Sequence, residues 1–596
     1  MGSFGRQLWN YRNFLVAFLT PLLLLPLPLV VSTSEAKCGF VVLLMALYWC
    51  TECVPLAVTS LLPVVLFPIM GIMKSEQVCQ NYMGEASIMG AGGLIVAIAF
   101  EHWNLHKRLA LGILLLVGAR PALLMMGFMI VSAFLSMWVS SVGSTAMMLP
   151  IVHSILEHLR KSEAEAEAEE KQMSRVSQDL HLTQTKHSTE ETRTVFSAVE
   201  EEPNPEELCH TEAEQLKQEQ KYVNLRKGMS LCVCYAASIG GTATLTGSFP
   251  NLILKGQIDK LFPENGGVIN YTSWFLFSFP HMVLMLFLSW LFMQFMYLGF
   301  NVKQTFGCRK ASTSERLVYK AMKIEYRKLG RMSFPEWCVL VLFILLVLLW
   351  FTREPGFSTG WGSLLFNKDR KFVTDSTVSV VIGVLFFIIP SRMHFSCYKF
   401  GSLNISGRRK WKAPPALIQW NLVQSKMPWN IVLLLGGSFA LAKGTEVSKL
   451  SIWIGQTLEP LKNVPHVALS FVICIVVAML TEICNNAVIG TVVLPVLASM
   501  ASAVKLHPLY IMLPSTISSS LAFMLPVGTA PNALTYSYAN LKIIDMAKPG
   551  CVLNLLGILC INFALHTWGI GMFQLNELPP WLNITTTPTP NTTMFP

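Results

Sequence analysis

Uninterrupted apolar runs of about 20 residues recur from Phe14 to the C-terminal region of this chain, and a run of that length is what an α-helix needs to cross a bilayer. Nothing else in the sequence restricts the fold as strongly, because inside lipid only helices and closed barrels satisfy their backbone polar groups. The runs are continuous rather than alternating, which argues against a barrel. Only 13% of the 596 residues are charged, against roughly 25% in a soluble domain. The expected fold class is therefore an all-α polytopic membrane protein. Phe14 to Val31 lacks a small-residue cleavage site and is followed by a second apolar run at Cys38, so it reads as the first span rather than a cleaved signal.

The formal net charge of +10 invites a nucleic-acid reading, but its distribution opposes one. Nine Lys or Arg fall between Lys303 and Arg331, and Arg392, Lys399, Arg408, Arg409, Lys410 and Lys412 precede Pro428. These are short loops between apolar segments, and the positive-inside rule places them in the cytoplasm. A surface for anionic lipid is the alternative. The 14 cysteines sit mostly within apolar segments. Cys50-Thr-Glu-Cys53 has CxxC spacing without a second pair or a His cluster, so it reads as packed helix rather than a metal site. His153 and His158 are wrongly spaced for one helix face, and no nucleophile constellation or phosphate loop accompanies them. The sequence does not read as an enzyme.

A short motif occurs twice. Gly92-Gly93, Ser140-Ser141 and Leu149-Pro150 recur as Gly436-Gly437, Asn485-Asn486 and Leu494-Pro495 about 345 residues later, as expected of two structural repeats whose interrupted helices meet at a substrate site. Each half has a later Pro-Asn pair, Pro250-Asn251 and Pro531-Asn532. Residues 121–160 and 464–503 are apolar but interrupted at polar tips, giving two re-entrant hairpins; the alternative for the first is one helix with its hydroxyls bonded back to its own carbonyls. Gly, Thr, Pro and Asn also break the helices at 228–262 and 507–545. Outside the hairpins, spans fall at 12–31, 38–55, 56–73, 86–115, 228–262, 272–300, 336–352, 374–390, 429–458, 507–545 and 549–572, about 11 in all. An odd number puts the termini on opposite sides, and the basic loops then set the amino terminus in the cytoplasm and the carboxyl terminus outside. Asn583 and Asn591 become glycosylation sequons of an outer tail. Asn270 lies outside but close to the membrane, and Asn404 lies inside and stays bare. Residues 161–226 are rich in Glu, Gln and Ser and read as a disordered or loosely helical cytoplasmic loop.

Broken helices expose N–H groups at one end and carbonyls at the other. The first favour anions and the second can hold a cation such as Na⁺. None of Ser140–Thr145, Gly247–Asn251, Asn485–Ile489 or Gly528–Asn532 contains Lys or Arg, which suits an anion neutralised by co-bound Na⁺, though a neutral substrate would also need no counter-charge. Glu482 beside the second tip reads either as a cation or proton site or as a hydrogen-bond partner for a helix end. Close helix packing through small residues is the competing account of the motif; it explains the glycines and serines better than the paired Pro-Asn.

These residues resemble the divalent-anion/sodium symporters, which carry dicarboxylates, citrate or sulfate with sodium. The resemblance rests on Tyr48-Trp-Cys-Thr-Glu52, Trp103-Asn-Leu-His-Lys-Arg108, Ala133-Phe-Leu-Ser-Met-Trp138, Trp429-Asn-Ile-Val-Leu-Leu-Leu-Gly-Gly437 and Phe523-Met-Leu-Pro-Val527. Ala237 to Gly247 and Met427-Pro-Trp-Asn430 are most similar to the di- and tricarboxylate branch. The resemblance implies a plasma-membrane homodimer with inverted repeats, a scaffold (1–120 and 263–428) and a transport domain moving like an elevator. The latter comprises the hairpin 121–160, the broken helix 227–262 and the second repeat 429–545. A last helix (546–575) and an outer tail (576–596) follow.

It also implies Na⁺ as the co-transported ion and a site at the tips. Substrate would meet Ser140, Ser141, Val142, Ser248, Asn485, Asn486, Ala487, Thr529 and Pro531. Na⁺ would meet Ser136, Ser140, Ser141, Gly247, Thr481, Asn485, Asn486 and Gly528. Tips of this family typically read Ser-Asn-Thr. Here Ser141 and Val142 replace the second and third residues of the first tip, and Asn485 and Ala487 the first and third of the second. Phe249 stands where a small residue is usual, and Gly528 where Ala is common. The expected function is Na⁺-coupled symport of succinate- or citrate-class anions with altered affinity or selectivity. A sulfate-type carrier and a transport-impaired relative with a regulatory role are the alternatives.

Overall fold

The apolar segments fold as helices whose ends are set by local chemistry. Asn270 and Ser273 form a capping box that starts Tyr271–Leu298, and Ser333 with Glu336 does the same for Phe334–Arg353; each box satisfies two otherwise orphaned N–H groups. The structure, a computed structural model, describes residues 11–161, 205–299, 313–392 and 414–583, apart from 119, 159, 357, 369, 370 and 458. Among the described residues the architecture is helical, and the one isolated β-bridge joins Pro390 to Ala416. Asn591, Asn404 and most of the polar segment 161–226 lie outside the described residues, while Asn583 ends the short helix Pro580–Asn583.

Seven described helices are long and apolar enough to cross a membrane: Arg12–Val30, Ser34–Thr51, Ser75–His102, Tyr271–Leu298, Phe334–Arg353, Asn486–Val504 and Ile543–Phe573. Four shorter apolar helices, among them Pro121–Ser136 and His466–Thr481, accompany them. The chain is thus a multi-pass membrane protein.

Several expected single spans are divided, each for a visible reason. The span at 86–115 becomes Glu85–His102 and Leu105–Val117, separated where Asn104 takes a left-handed conformation. The span at 56–73 becomes Leu56–Thr59 and Leu62–Ile69, with Pro63 starting the second piece because proline fits a first helical turn, where its missing N–H costs nothing. The segment at 429–458 becomes Trp429–Val447 and Leu450–Thr457, parted at Lys449 with φ 62°. Helix Pro205–Gly241 reaches from the polar segment into the core in one piece.

The paired Gly-Gly motifs mark close helix contacts. A Cβ at Gly92 would fall 2.5 Å from Ser379 Oγ, and one at Gly437 would fall 2.5 Å from the Ser60 carbonyl oxygen. Each Gly-Gly pair therefore lets one helix lie directly on a neighbour, the small-residue packing used inside membranes. The Ser and Pro-Asn parts of the motif do something else.

Candidate functional site: two tips and two helix breaks

The first tip follows Pro121–Ser136. The chain turns through Met137, Trp138 and Val139, reaches Ser140 at φ 113°, and starts a new helix over 141–158. Such a φ is costly for a residue with a Cβ and persists only where surrounding structure imposes it. The Gly143 N–H donates to Ser140 Oγ at 3.3 Å, a helix cap. Ser144 Oγ donates to the Ser132 carbonyl at 2.9 Å, so the second helix folds back along the first. The Ser144 hydroxyl bonds to a carbonyl 12 residues back rather than within its own turn, and the described segment is two helices joined at 137–140.

The second tip has the same plan. After His466–Thr481 the chain turns through Glu482, Ile483 and Cys484, and Asn485 caps Asn486–Val504 by accepting from the Ala487 N–H at 3.0 Å. Thr481 Oγ1 is bonded both to Asn486 Oδ1 at 2.8 Å and to the Ser519 carbonyl at 2.7 Å. In the first half Ser136 Oγ likewise donates to the Ala237 carbonyl. In both halves, then, the hydroxyl that ends the first hairpin helix reaches the helix leading into the break.

The breaks are built alike. Pro205–Gly241 stops, the chain loops, and Phe249–Leu261 begins with Pro250 in its first turn. Asn251 Nδ2 donates back across the loop to the carbonyls of Gly241 at 3.1 Å and Thr244 at 2.8 Å. In the second half Pro508–Ser518 stops and Ala530–Tyr538 begins with Pro531. There Asn532 Nδ2 donates to the carbonyls of Ala522 at 2.8 Å and Leu525 at 2.9 Å. Both amides are fully buried, and each braces the carbonyls 10 and 7 residues before it. The Pro-Asn pairs signalled that the breaks match; the braces are how they match.

Each break meets its own tip at a glycine. A Cβ on Gly247 would fall 2.7 Å from the Gly241 carbonyl and 3.1 Å from that of Met137, and one on Gly528 would fall 3.2 Å from the Thr481 carbonyl and 3.1 Å from that of Glu482. Carbonyl oxygens therefore crowd each glycine, from two chain segments around Gly247 and from the end of the tip's first helix around Gly528. The Thr244 hydroxyl lies beside Gly247 and that of Ser136 beside Gly241, and Thr244 Oγ1 donates to the Met137 carbonyl.

The halves also touch each other. Ser248 and Ser520 hydroxyls are 3.4 Å apart, Cys234 Sγ contacts Asn532 Oδ1 at 3.0 Å, and Gly490 lies against Pro250. Thr481, Gly528, Thr529, Pro531 and Ala487 are buried, Ser140, Ser141, Ser248 and Asn486 half-buried, and Asn485 and Val142 exposed. Among the described residues the Ser141 hydroxyl has no hydrogen-bond partner, so it is a free group at the first tip. The tips and breaks carry no Lys or Arg.

Glu482 has the fullest set of bonds. It is 4% exposed, and its carboxylate accepts the N–H groups of Phe523, Met524 and Leu525 at 2.9–3.1 Å and the Asn554 amide at 2.6 Å. Of the two readings open for this residue, the geometry fits a brace for loosened backbone. Its donors lie over forty positions onward, so no local pattern could have disclosed them. Met137, Thr244, Asn251, Ser519, Ser520 and Asn532 likewise join the architecture through contacts the linear sequence does not display.

A family model described as "Sodium:sulfate symporter transmembrane region" matches residues 6–575. Solute carrier family 13 member 2 of Oryctolagus cuniculus is 48% identical, with 98% of each chain covered. The Na(+)/citrate cotransporter of Mus musculus is 45% identical, covering 97% of this chain and 98% of its own. The Na(+)/dicarboxylate cotransporter 3 of Homo sapiens is 41% identical, covering 98% and 96%.

Proposed function

The chain belongs to the sodium:sulfate symporter transmembrane family, and from that premise we propose that it is a Na⁺-coupled symporter of di- and tricarboxylate anions of the succinate and citrate class. One observation carries the reading: the two helix breaks are braced in the same way by Asn251 and Asn532, beside tips that hold no basic side chain. Helix N-termini with free N–H groups favour a carboxylate, and carbonyl-rich ends favour Na⁺, so anion and cations neutralise one another without a lysine or arginine. The names of relatives matching over nearly the whole chain support both the ion and the substrate class.

In this reading Ser136, Ser140, Ser141 and Gly247 hold one Na⁺, and Thr481, Asn485, Asn486 and Gly528 a second. The anion lies between the tips, against Ser140, Ser141, Val142, Asn485, Asn486 and Ala487, with Ser248, Thr529 and Pro531 at the breaks. The hairpins are re-entrant, giving about 11 spans. Residues 121–262 and 429–545 move as an elevator against a scaffold, within a homodimer at the plasma membrane. The amino terminus is cytoplasmic and the outer tail carries glycans at Asn583 and Asn591. Ser141 and Val142 offer the anion fewer polar contacts than Asn and Thr would, so affinity is lower than in a Ser-Asn-Thr tip.

The deciding experiment is uptake of labelled succinate, citrate and sulfate by cells displaying the protein, in Na⁺ and in choline. Succinate or citrate uptake that collapses in choline supports the reading. Sulfate uptake without succinate competition would reassign the substrate, and surface protein without Na⁺-dependent flux would overturn transport.

A further inference from the structure

Helix Thr313–Lys328 lies apart from the tips and breaks and packs against Leu105–Val117, with Val318 and Met322 fully buried. Arg108 of that neighbour pins the chain just past its end: its guanidinium donates to the carbonyls of Leu329 at 3.0 Å and Gly330 at 2.8 Å. Arg316, Lys320, Lys323 and Arg327 are spaced four, three and four apart, so they share one face of the helix, away from Val318 and Met322. All four are exposed. Among the described residues none of the four has an ion-pair partner, since Glu325 pairs with Lys328 at 2.5 Å and Glu336 with Arg108 at 3.3 Å. Tyr319 and Ile324, also exposed, flank the stripe. The positive-inside rule accounts for the sign of these residues but not for their alignment along a docked helix. The membrane-length helix Phe334–Arg353 begins shortly after Lys328, and the five residues between reach at most about 20 Å. Its first turn exposes Phe334 and Trp337, aromatic side chains of the kind that sit at headgroup level. The basic stripe is thus held close to the membrane surface.

We propose that this stripe is a binding site for the phosphate headgroups of anionic phospholipids in the adjoining leaflet. Phosphate oxygens accept charge-assisted hydrogen bonds from the guanidinium groups of Arg316 and Arg327 and the ammonium groups of Lys320 and Lys323. Tyr319 and Ile324 then lie at the boundary between headgroups and acyl chains, as the apolar flank of a basic interfacial helix does. The chain's own acidic run, Glu163–Glu170, is the rival occupant. It suits the site less well, because Tyr319 and Ile324 gain from acyl chains and nothing from carboxylates. The neighbour that receives the lipid load is Leu105–Val117, so bound headgroups hold two helices together at the membrane surface. The site stands whether or not the protein carries anions.

The test uses the full-length protein in detergent micelles, titrated with phosphatidylinositol 4,5-bisphosphate or with phosphatidylcholine of the same chain length, and native mass spectrometry counts the bound lipid. The expected result is preferential binding of the anionic lipid, weakening as salt rises. Changing Arg316, Lys320, Lys323 or Arg327 singly to Gln lowers that affinity by up to about fivefold, the equivalent of ~1 kcal/mol per basic residue, and the losses accumulate in the fourfold variant. Arg316→Lys, Lys320→Arg, Lys323→Arg and Arg327→Lys together keep the preference, because the charge stays. Equal binding of the two lipids, or undiminished affinity in a Gln variant that elutes as folded protein, would overturn the proposal. Free inositol trisphosphate binding as tightly as the lipid would reassign the stripe to a soluble phosphate. A preference that emerges only once the glutamates of Glu163–Glu170 are changed to Gln would show the chain's own acidic run in place and overturn lipid as the occupant.

Discussion

The two halves of the molecule solve one problem with different chemistry. Each must hold a broken helix open beside a tip, and every loosened N–H and C=O that is buried there needs a partner. The first half uses neutral groups: Thr244 Oγ1 donates to the Met137 carbonyl and accepts the Gly247 N–H at 3.1 Å. The second half has Leu525 at the place of Thr244 and cannot do this. Its Glu482, at the place of Met137, accepts three backbone N–H groups instead. The Asn braces are shared and these latches are not. The repeat therefore conserves the geometry of the breaks, while each half stabilises its loosened backbone separately.

The largest test of that contrast is Glu482→Gln. The amide would turn a donor toward N–H groups that need acceptors, at a cost on the order of 3–5 kcal/mol, as when a buried charge loses its partners. A steep fall in thermal stability in detergent and loss of Na⁺-driven uptake are expected. Next come the braces. Asn532→Ala and Asn251→Ala should each cost about 2 kcal/mol for two lost hydrogen bonds, read as similar drops in Tm; a silent variant in one half would break the proposed likeness.

A gain is expected from Ser141→Asn with Val142→Thr, which restores polar groups at the first tip. Succinate KM should fall by up to about tenfold, the equivalent of about 1.4 kcal/mol, and an unchanged KM in well-expressed protein counts against this tip as the binding place. Thr244→Val should cost about 1 kcal/mol in the same unfolding measurement. Met137→Leu should leave the latch intact and cost under roughly 1.5 kcal/mol, as a volume-conserving change does, because Met137 serves the latch through its backbone. Equal damage from Met137→Leu and Glu482→Gln would erase the difference between the halves.

Local pattern carried a good part of this account. The breaks at 228–262 and 507–545 were legible because Gly, Thr, Pro and Asn crowd together there, a density that breaks a helix, and the tips because Ser140 and Asn485 interrupt apolar runs. The repeated Gly-Gly pairs were legible as a motif, but their use as close contacts with Ser379 and Ser60 was not, since those partners lie far away in the chain. Asn104 and Lys449 divide expected single helices, because left-handed turns at ordinary residues have no strong composition signal. Glu482 was visible as a carboxylate among apolar residues. Its partners were not, because a free carboxylate and one bonded to four donors are the same letter.

By itself the sequence determined the helical membrane class, the doubling and the places where helices must stop, since those follow from hydrophobic length and from residues that cannot sustain a helix. Only the tertiary structure decided what meets at those stops: Asn251 and Asn532 across their loops, Thr244 on Met137, and Glu482 on Phe523 to Leu525. The reason is physical. A helix break frees backbone groups locally, but the acceptors and donors that satisfy them come from whichever segments the packing of apolar faces brings alongside, and that choice is made in three dimensions.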